Sequence, residues 1–229
     1  MFKKYPQFSF AFAIIFFAEL IALTNDLKEI RLITKPLITI SLMLFLYFTI
    51  KRKSRFTSKI ITGLFFSLLG DIFLMFVHTN ELYFMLGLGA FLIAHLFYIA
   101  AFYLDSTNKM EVQQRYILPI FMVFGFFCLS YYYMLRPYLG SMHIPVLVYS
   151  FVITMMGITA ALRYGKTNLK SFNWVLIGAI LFIVSDAILA YNKFVERMEI
   201  GDLLVMTTYM LAQFFITIGT VERKYVKKN

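Results

Sequence analysis

Three observations predict an all-α membrane protein of eight transmembrane helices. Hydrophobic residues make up 61% of the 229 residues and charged residues only 15%, whereas about a quarter of a soluble domain is charged. The apolar residues gather in eight continuous runs, not in the alternating pattern of a membrane β-barrel. Each run supplies the roughly 20 helical residues that cross ~30 Å of hydrocarbon, given some tilt. The whole chain, residues 1–229, reads as one polytopic domain.

The first apolar segment, about 6–24, follows the basic opening MFKKYPQ. That flank resembles a signal peptide, but the run contains no convincing small-residue cleavage site, so it is expected to stay as a helix. The other segments fall at about 33–50, 57–77, 82–104, 116–135, 144–163, 172–191 and 203–221. Pro6, Pro36, Pro119 and Pro145 are predicted in first turns, where the missing N–H costs little, and Pro137 in a loop. With no proline expected to break a helix in mid-membrane, the pattern differs from the interrupted helices of secondary transporters.

Charge sets the orientation. Sixteen Lys and Arg fall on the side that holds both termini, against five in the other four connections, so both termini are expected in the cytoplasm. KRKSRFTSK at 51–59 and the tail ERKYVKKN dominate that count and read as solvated topology anchors. The net charge of +10 is thus explained by loops. No soluble basic face interleaved with stacking aromatics is present, so nucleic acid is not an expected partner. Cys128, alone in an apolar run, forms no intrachain disulfide.

A stretch of the chain occurs twice. GLFFSLLGDIFL at 63–74 matches GAILFIVSDAIL at 178–189, pairing Gly63 with Gly178, Asp71 with Asp186 and Leu74 with Leu189. The following helices correspond too: FLIAHLFYI at 91–99 aligns with YMLAQFFIT at 209–217, setting His95 opposite Gln213. Four crossings separate the copies, so they run in the same direction. Two parallel four-helix halves are expected, related about an axis normal to the membrane.

Each copy puts one carboxylate inside an apolar helix, where a charge costs ~2.5–3.5 kcal/mol on insertion scales. Asp71 and Asp186 each lie 14 residues from a predicted cytoplasmic end, or ~21 Å at 1.5 Å per residue, level in the outer half of the bilayer. Glu19 and Tyr209 reach nearly that depth, Lys35 can extend its stem toward the acids, and His95 and Gln213 lie one or two turns deeper. Gly63, Ser67 and Asp71 share one helix face, as do Gly178, Phe182, Asp186 and Ala190, and these faces are expected to admit a close neighbour. Two carboxylates in one apolar cavity do not ionise together, which leaves an acid and a base suited to an oxocarbenium-like reaction. The structural alternative has each Asp capping a hydroxyl or amide on a neighbouring helix. Glu19 and Lys35 are expected to form an internal ion pair, unless Lys35 faces a lipid phosphate. The sequence contains no HExxH, Cys/His cluster, GxSxG elbow or P-loop, so no metal or cofactor is expected.

As a set, KPLITISLMLF at 35–45, SLLGDIFLMF at 67–76, GAFLIAHLFYI at 89–99, GAILFIVSDAILAYNKF at 178–194 and TYMLAQFFI at 208–216 resemble the YhhN family, which includes lysoplasmalogenases. The resemblance implies hydrolysis of the vinyl ether bond of a lysoplasmalogen, a lysophospholipid with one chain, to a fatty aldehyde and glycerophosphoethanolamine or glycerophosphocholine. It implies Asp71 and Asp186 as acid and base, with His95, Tyr98, Asn192, Tyr209 and Gln213 as candidates for orienting water or binding the glycerol and head group, alongside Glu19 and Lys35. Ser185 is expected to bond across helices rather than react. The expected setting is a bacterial inner membrane. Two other classes fit the same residues: a proton-coupled transporter of small molecules or lipids, and a structural membrane protein whose polar groups lock the bundle.

Overall fold

The computed structural model describes residues 4–50, 54–106 and 114–224. Among them the apolar runs form eight long helices: α1 (Pro6–Thr24), α2 (Lys28–Thr49), α3 (Arg55–Met75), α4 (Leu82–Ser106), α5 (Ile117–Leu135), α6 (His143–Ala161), α7 (Leu169–Phe194) and α8 (Gly201–Val221). Each is long and apolar enough to cross a membrane, and the protein is a multi-pass integral membrane protein. Lys4 Nζ lies 3.2 Å from Glu222 Oε1, so the start of α1 and the end of α8 meet on one side, as an even number of crossings requires.

Helix ends depart from the apolar runs where polar residues carry the helix into the head-group layer. α2 starts at Lys28, because Asp26 takes a left-handed φ of 51° and the Leu27 N–H bonds the Ala22 carbonyl at 2.8 Å. The α1–α2 turn is therefore tight and the helix resumes at once. Pro36 consequently lies inside α2 and not in its first turn, and the Leu32 carbonyl loses its usual helical donor. α7 likewise extends three residues beyond its apolar run at each end. At α3, Ser54 caps the start, its Oγ accepting from the Thr57 N–H at 3.2 Å.

The two most extensive helix pairings are α3 with α4 and α7 with α8; α4 also packs on α6, and α8 on α2. Laying α1–α4 over α5–α8 in order maps these pairings onto one another. The seams match residue by residue. A Cβ on Gly63 would stand 2.4 Å from the Tyr98 ring, and one on Gly178 would stand 2.8 Å from Ile216. Tyr98 and Ile216 are the same position in the two copies. Close approach at a glycine thus holds both hairpins together.

The end of the bundle that holds both termini is locked by buried charge. Asp105, at the end of α4, accepts from Arg163 Nε at 2.9 Å and from the Arg223 guanidinium at 2.5 and 2.9 Å. Arg163 also donates to Ser171 Oγ at 2.9 Å, and both guanidinium groups lie over the Phe56 ring. A buried carboxylate needs such partners, and these come from the opposite half. The anchor reading is therefore corrected for Glu222 and Arg223 of the tail, which are packed rather than solvated. Residues 51–53 and 225–229 of the two basic stretches lie outside the described residues.

Candidate active site

The duplicated aspartates sit in separate polar networks. Asp71, on α3, is sealed at 1% exposure. Its Oδ2 accepts from Tyr209 of α8 at 2.6 Å and from Thr39 Oγ1 of α2 at 3.1 Å. Gln213, one turn after Tyr209, donates to the Tyr209 oxygen at 3.4 Å and accepts from the Tyr98 hydroxyl at 2.7 Å. Lys35 is buried within electrostatic range of Asp71. Glu19 is not its ion-pair partner: that carboxylate bonds Arg31 Nε at 3.2 Å and Thr34 Oγ1 at 2.5 Å. Arg31 lies in the extra turn at the start of α2, and Thr34 follows just after it.

Asp186, on α7, has a side chain 12% exposed. The Tyr149 hydroxyl of α6 donates to its Oδ2 at 2.5 Å, and His95 Nε2 of α4 stands 3.8 Å from the same oxygen. Both ring nitrogens of His95 are buried without a hydrogen-bond partner among the described residues. Asp186 opens onto an apolar cleft lined by Leu88, Phe127, Tyr131, Ile153 and Ile183, among others. The cavity within it is about 50 Å³, so it is narrow, as a hydrocarbon chain requires.

The expectation that one cavity holds both acids is not met, since Asp71 is not part of this lining. Contacts run from Asp71 through Tyr209 and Phe182 to His95 and Asp186. Phe182 packs edge-on against Tyr209 with centroids 5.5 Å apart, against His95 at 4.7 Å and against Phe91 at 6.2 Å. Phe182 lies one turn before Asp186 on the same helix face. Its bulk fills space that small groups were expected to leave open.

The other candidates divide by place. His95 joins Asp186; Tyr98, Tyr209 and Gln213 join Asp71; and Asn192 does neither. The Asn192 Oδ1, near the end of α7, accepts from the Met198 N–H of the α7–α8 connection at 3.3 Å. Ser185 donates across to the Val205 carbonyl at 3.0 Å. Sequence reasoning missed Tyr149 and Thr39. Tyr149 lies six residues after His143, which starts α6, and the depth argument that selects Tyr209 selects it equally well. Among the described residues, no group of three or more His, Cys, Asp or Glu is placed to hold a metal ion.

The fold and site define a multi-pass membrane protein built from two related halves, each with an intramembrane carboxylate. A model of the YhhN family matches residues 30–220. The chain belongs to the YhhN family. It is 32% identical over 174 residues to a human protein named lysoplasmalogenase TMEM86A, covering 73% of this chain and 67% of the human one. It is 29% identical over 197 residues to the Sus scrofa lysoplasmalogenase TMEM86B, covering 86% and 78%. A Mycobacterium bovis lysoplasmalogenase is 29% identical over 148 residues, covering 64% and 54%. No solved structure matches the chain.

Proposed function

We propose that this protein is an intramembrane hydrolase that cleaves the vinyl ether bond of lysoplasmalogens, releasing a fatty aldehyde and glycerophosphoethanolamine or glycerophosphocholine. The supporting observation is a carboxyl group, Asp186, on the wall of a narrow apolar cleft, in a chain about 30% identical to proteins named lysoplasmalogenase. The cleft suits the hydrocarbon chain, and Asp186 stands where that chain's reactive end would lie. We place the protein in a bacterial inner membrane, with both termini cytoplasmic as its loop charges favour.

Enol ethers hydrolyse through carbon. An acid delivers a proton to the β-carbon of the vinyl ether, the double bond shifts toward oxygen, and an oxocarbenium ion forms. Water adds to that ion as a base takes its proton, and the resulting hemiacetal collapses to aldehyde and alcohol. Asp186 is assigned the proton delivery. Tyr149 donates to its Oδ2, and Oδ1 has no protein partner among the described residues.

Asp71 is the second carboxylate of an acid–base pair if the Phe91 and Phe182 rings part to admit water. An alternative base is favoured by one distance: His95 Nε2, with no hydrogen bond of its own, lies 3.8 Å from Asp186. The test is aldehyde release from purified protein in detergent, using 1-alkenyl lysophosphatidylethanolamine and 1-alkenyl lysophosphatidylcholine with wild type, Asp186→Asn, Asp71→Asn and His95→Gln. Loss with folded Asp186→Asn supports the hydrolase. Loss also with folded Asp71→Asn supports the paired carboxylates, whereas retention there and loss with His95→Gln assigns the base to His95. No release by folded wild type with either head group counts against the hydrolase and returns the protein to the transporter class.

A further inference from the structure

We propose that the outer cleft between the start of α2 and the end of α3 binds the phosphate of a phospholipid head group. Lys28, Arg31 and Lys35 stand at i, i+3 and i+7, so they share one face of α2. His78, just past α3, lines the same cleft with Leu32, Leu74 and Met75. The space is about 170 Å³, against ~10–15 Å³ for one water.

The cations in this cleft are unequally committed. Lys28 Nζ is 3.8 Å from Asp26 Oδ2, with both side chains more than 70% exposed, so that attraction is weak and screened. Arg31 is held by Glu19. Lys35 is different: it is 7% exposed and makes no hydrogen bond or ion pair among the described residues. The nearby Asp71 Oδ2 is already taken by Thr39 and Tyr209. The Lys35 stem is packed and the residue lines the cleft, so a bound anion supplies the partner that its ammonium lacks.

The chemistry of the anion follows from depth and donors. The cleft lies where the apolar span of α2 meets its polar first turns, the level at which long lysine stems place their charge among head groups. Phosphate oxygens accept several charge-assisted hydrogen bonds at once, and Lys28, Arg31 and Lys35 of α2 and His78 of the turn after α3 present donors. The cleft is separate from the one that Asp186 lines. The site goes beyond the hydrolase proposal, which enters only in the choice of one probe.

The experiment uses purified full-length protein in a neutral, phosphate-free detergent and measures binding without reading aldehyde release. The probes are a 1-O-alkyl lysophosphatidylcholine, which has no vinyl ether to cleave, the matching 1-O-alkylglycerol without phosphate, diacylphosphatidylglycerol and inorganic phosphate. In Lys35→Gln, at least one phosphate-bearing lipid is expected to bind roughly tenfold or more weakly, while the alkylglycerol binds as to wild type. Inorganic phosphate is expected to displace that lipid. Dependence confined to the alkyl lysolipid identifies a single-chain lipid as the source; dependence with the diacyl lipid identifies a bilayer phospholipid. Equal changes for probes with and without phosphate, or none, overturn the site. If Lys35→Gln is not monodisperse, Lys28→Gln carries the comparison. Unchanged phospholipid binding there, without displacement by inorganic phosphate from wild type, also overturns it.

Discussion

The two halves place matching aspartates on matching helices and then treat them differently. Asp71 is sealed, bonded to two hydroxyls and close to a buried lysine. Asp186 has one tyrosine partner and a cleft beside it. The asymmetry can be traced to aligned positions. Tyr209 reaches Asp71, whereas its counterpart Phe91 has nothing to donate, so Asp186 takes its hydroxyl from α6 instead. Gln213 bonds both Tyr209 and Tyr98, whereas its counterpart His95 has no hydrogen-bond partner among the described residues. Duplication supplies the frame, and the degree of polar satisfaction separates a half whose acid is committed from one whose acid and histidine retain capacity. Unsatisfied buried groups in a native structure call for an explanation of this kind.

The sharpest way to break this contrast is to remove each carboxylate. Asp186→Asn is expected to lower turnover by about 10²–10⁴, the range of general acid catalysis, with folding retained. Asp71→Asn is expected to lower the melting temperature first, and equal loss of turnover in both variants at unchanged stability would erase the distinction. Next comes the lock between halves. Asp105→Asn leaves Arg163 and Arg223 without their carboxylate and is expected to cost about 3–5 kcal/mol, read as loss of monodisperse protein and of thermal stability.

The helix seams give a finer comparison. Gly178→Ala and Gly63→Ala both overpack, by about 1–3 kcal/mol, and Gly178 is expected to be the worse. Its added methyl would meet the backbone of Ala212 and Ile216 at 2.9 Å, whereas that of Gly63 meets only the side chain of Tyr98. Parallel melting curves decide the order. Among the hydroxyls, Tyr149→Phe is expected to slow turnover more than Tyr209→Phe, by about fivefold for a hydrogen bond worth ~1 kcal/mol. The reverse order would put the chemistry at Asp71.

The smallest effect lies outside the membrane. Burial acts to raise the Glu222 carboxyl, but the Lys4 hydrogen bond and the charges of Lys4 and Lys170 outweigh it and hold the group below its ordinary value. That contribution is therefore present above pH ~4.3 and is lost as pH falls through the lower folded value. Lys4 is 54% exposed, so only ~0.2–1 kcal/mol is expected. Melting curves across the acid range should show this component in wild type and a smaller one in Lys4→Gln, where Lys170 remains.

The eight helices were legible because hydrocarbon leaves the backbone few alternatives. Their ends were less so: Lys28, Glu29 and Arg31 look like loop residues, yet the turn at Asp26 lets them continue α2. That one shift moved Pro36 into the helix and gave Glu19 to Arg31 and Thr34 instead of Lys35. The duplication was legible as letters, and its physical content, Tyr98 on Gly63 and Ile216 on Gly178, emerged only from packing. The candidate site divided in the same way. Asp71, Tyr209, Gln213 and Tyr98 form a network whose members sequence depth and resemblance had selected. Tyr149 was lost among many aromatics, and the bulk of Phe182, which separates the acids, was not weighed against its place on the aspartate face.

One wall of the Asp186 cleft comes from α5, whose one buried residue is Leu135 and whose only extensive helix neighbour is α6. A reactant meeting so peripheral a wall arrives by diffusion in the plane of the bilayer. Its effective concentration is then a mole fraction in a two-dimensional solvent, not a molarity. At a fixed amount of substrate, adding detergent dilutes that surface, so the rate follows the ratio of lipid to detergent, and a Michaelis constant for this protein has meaning only in those surface units.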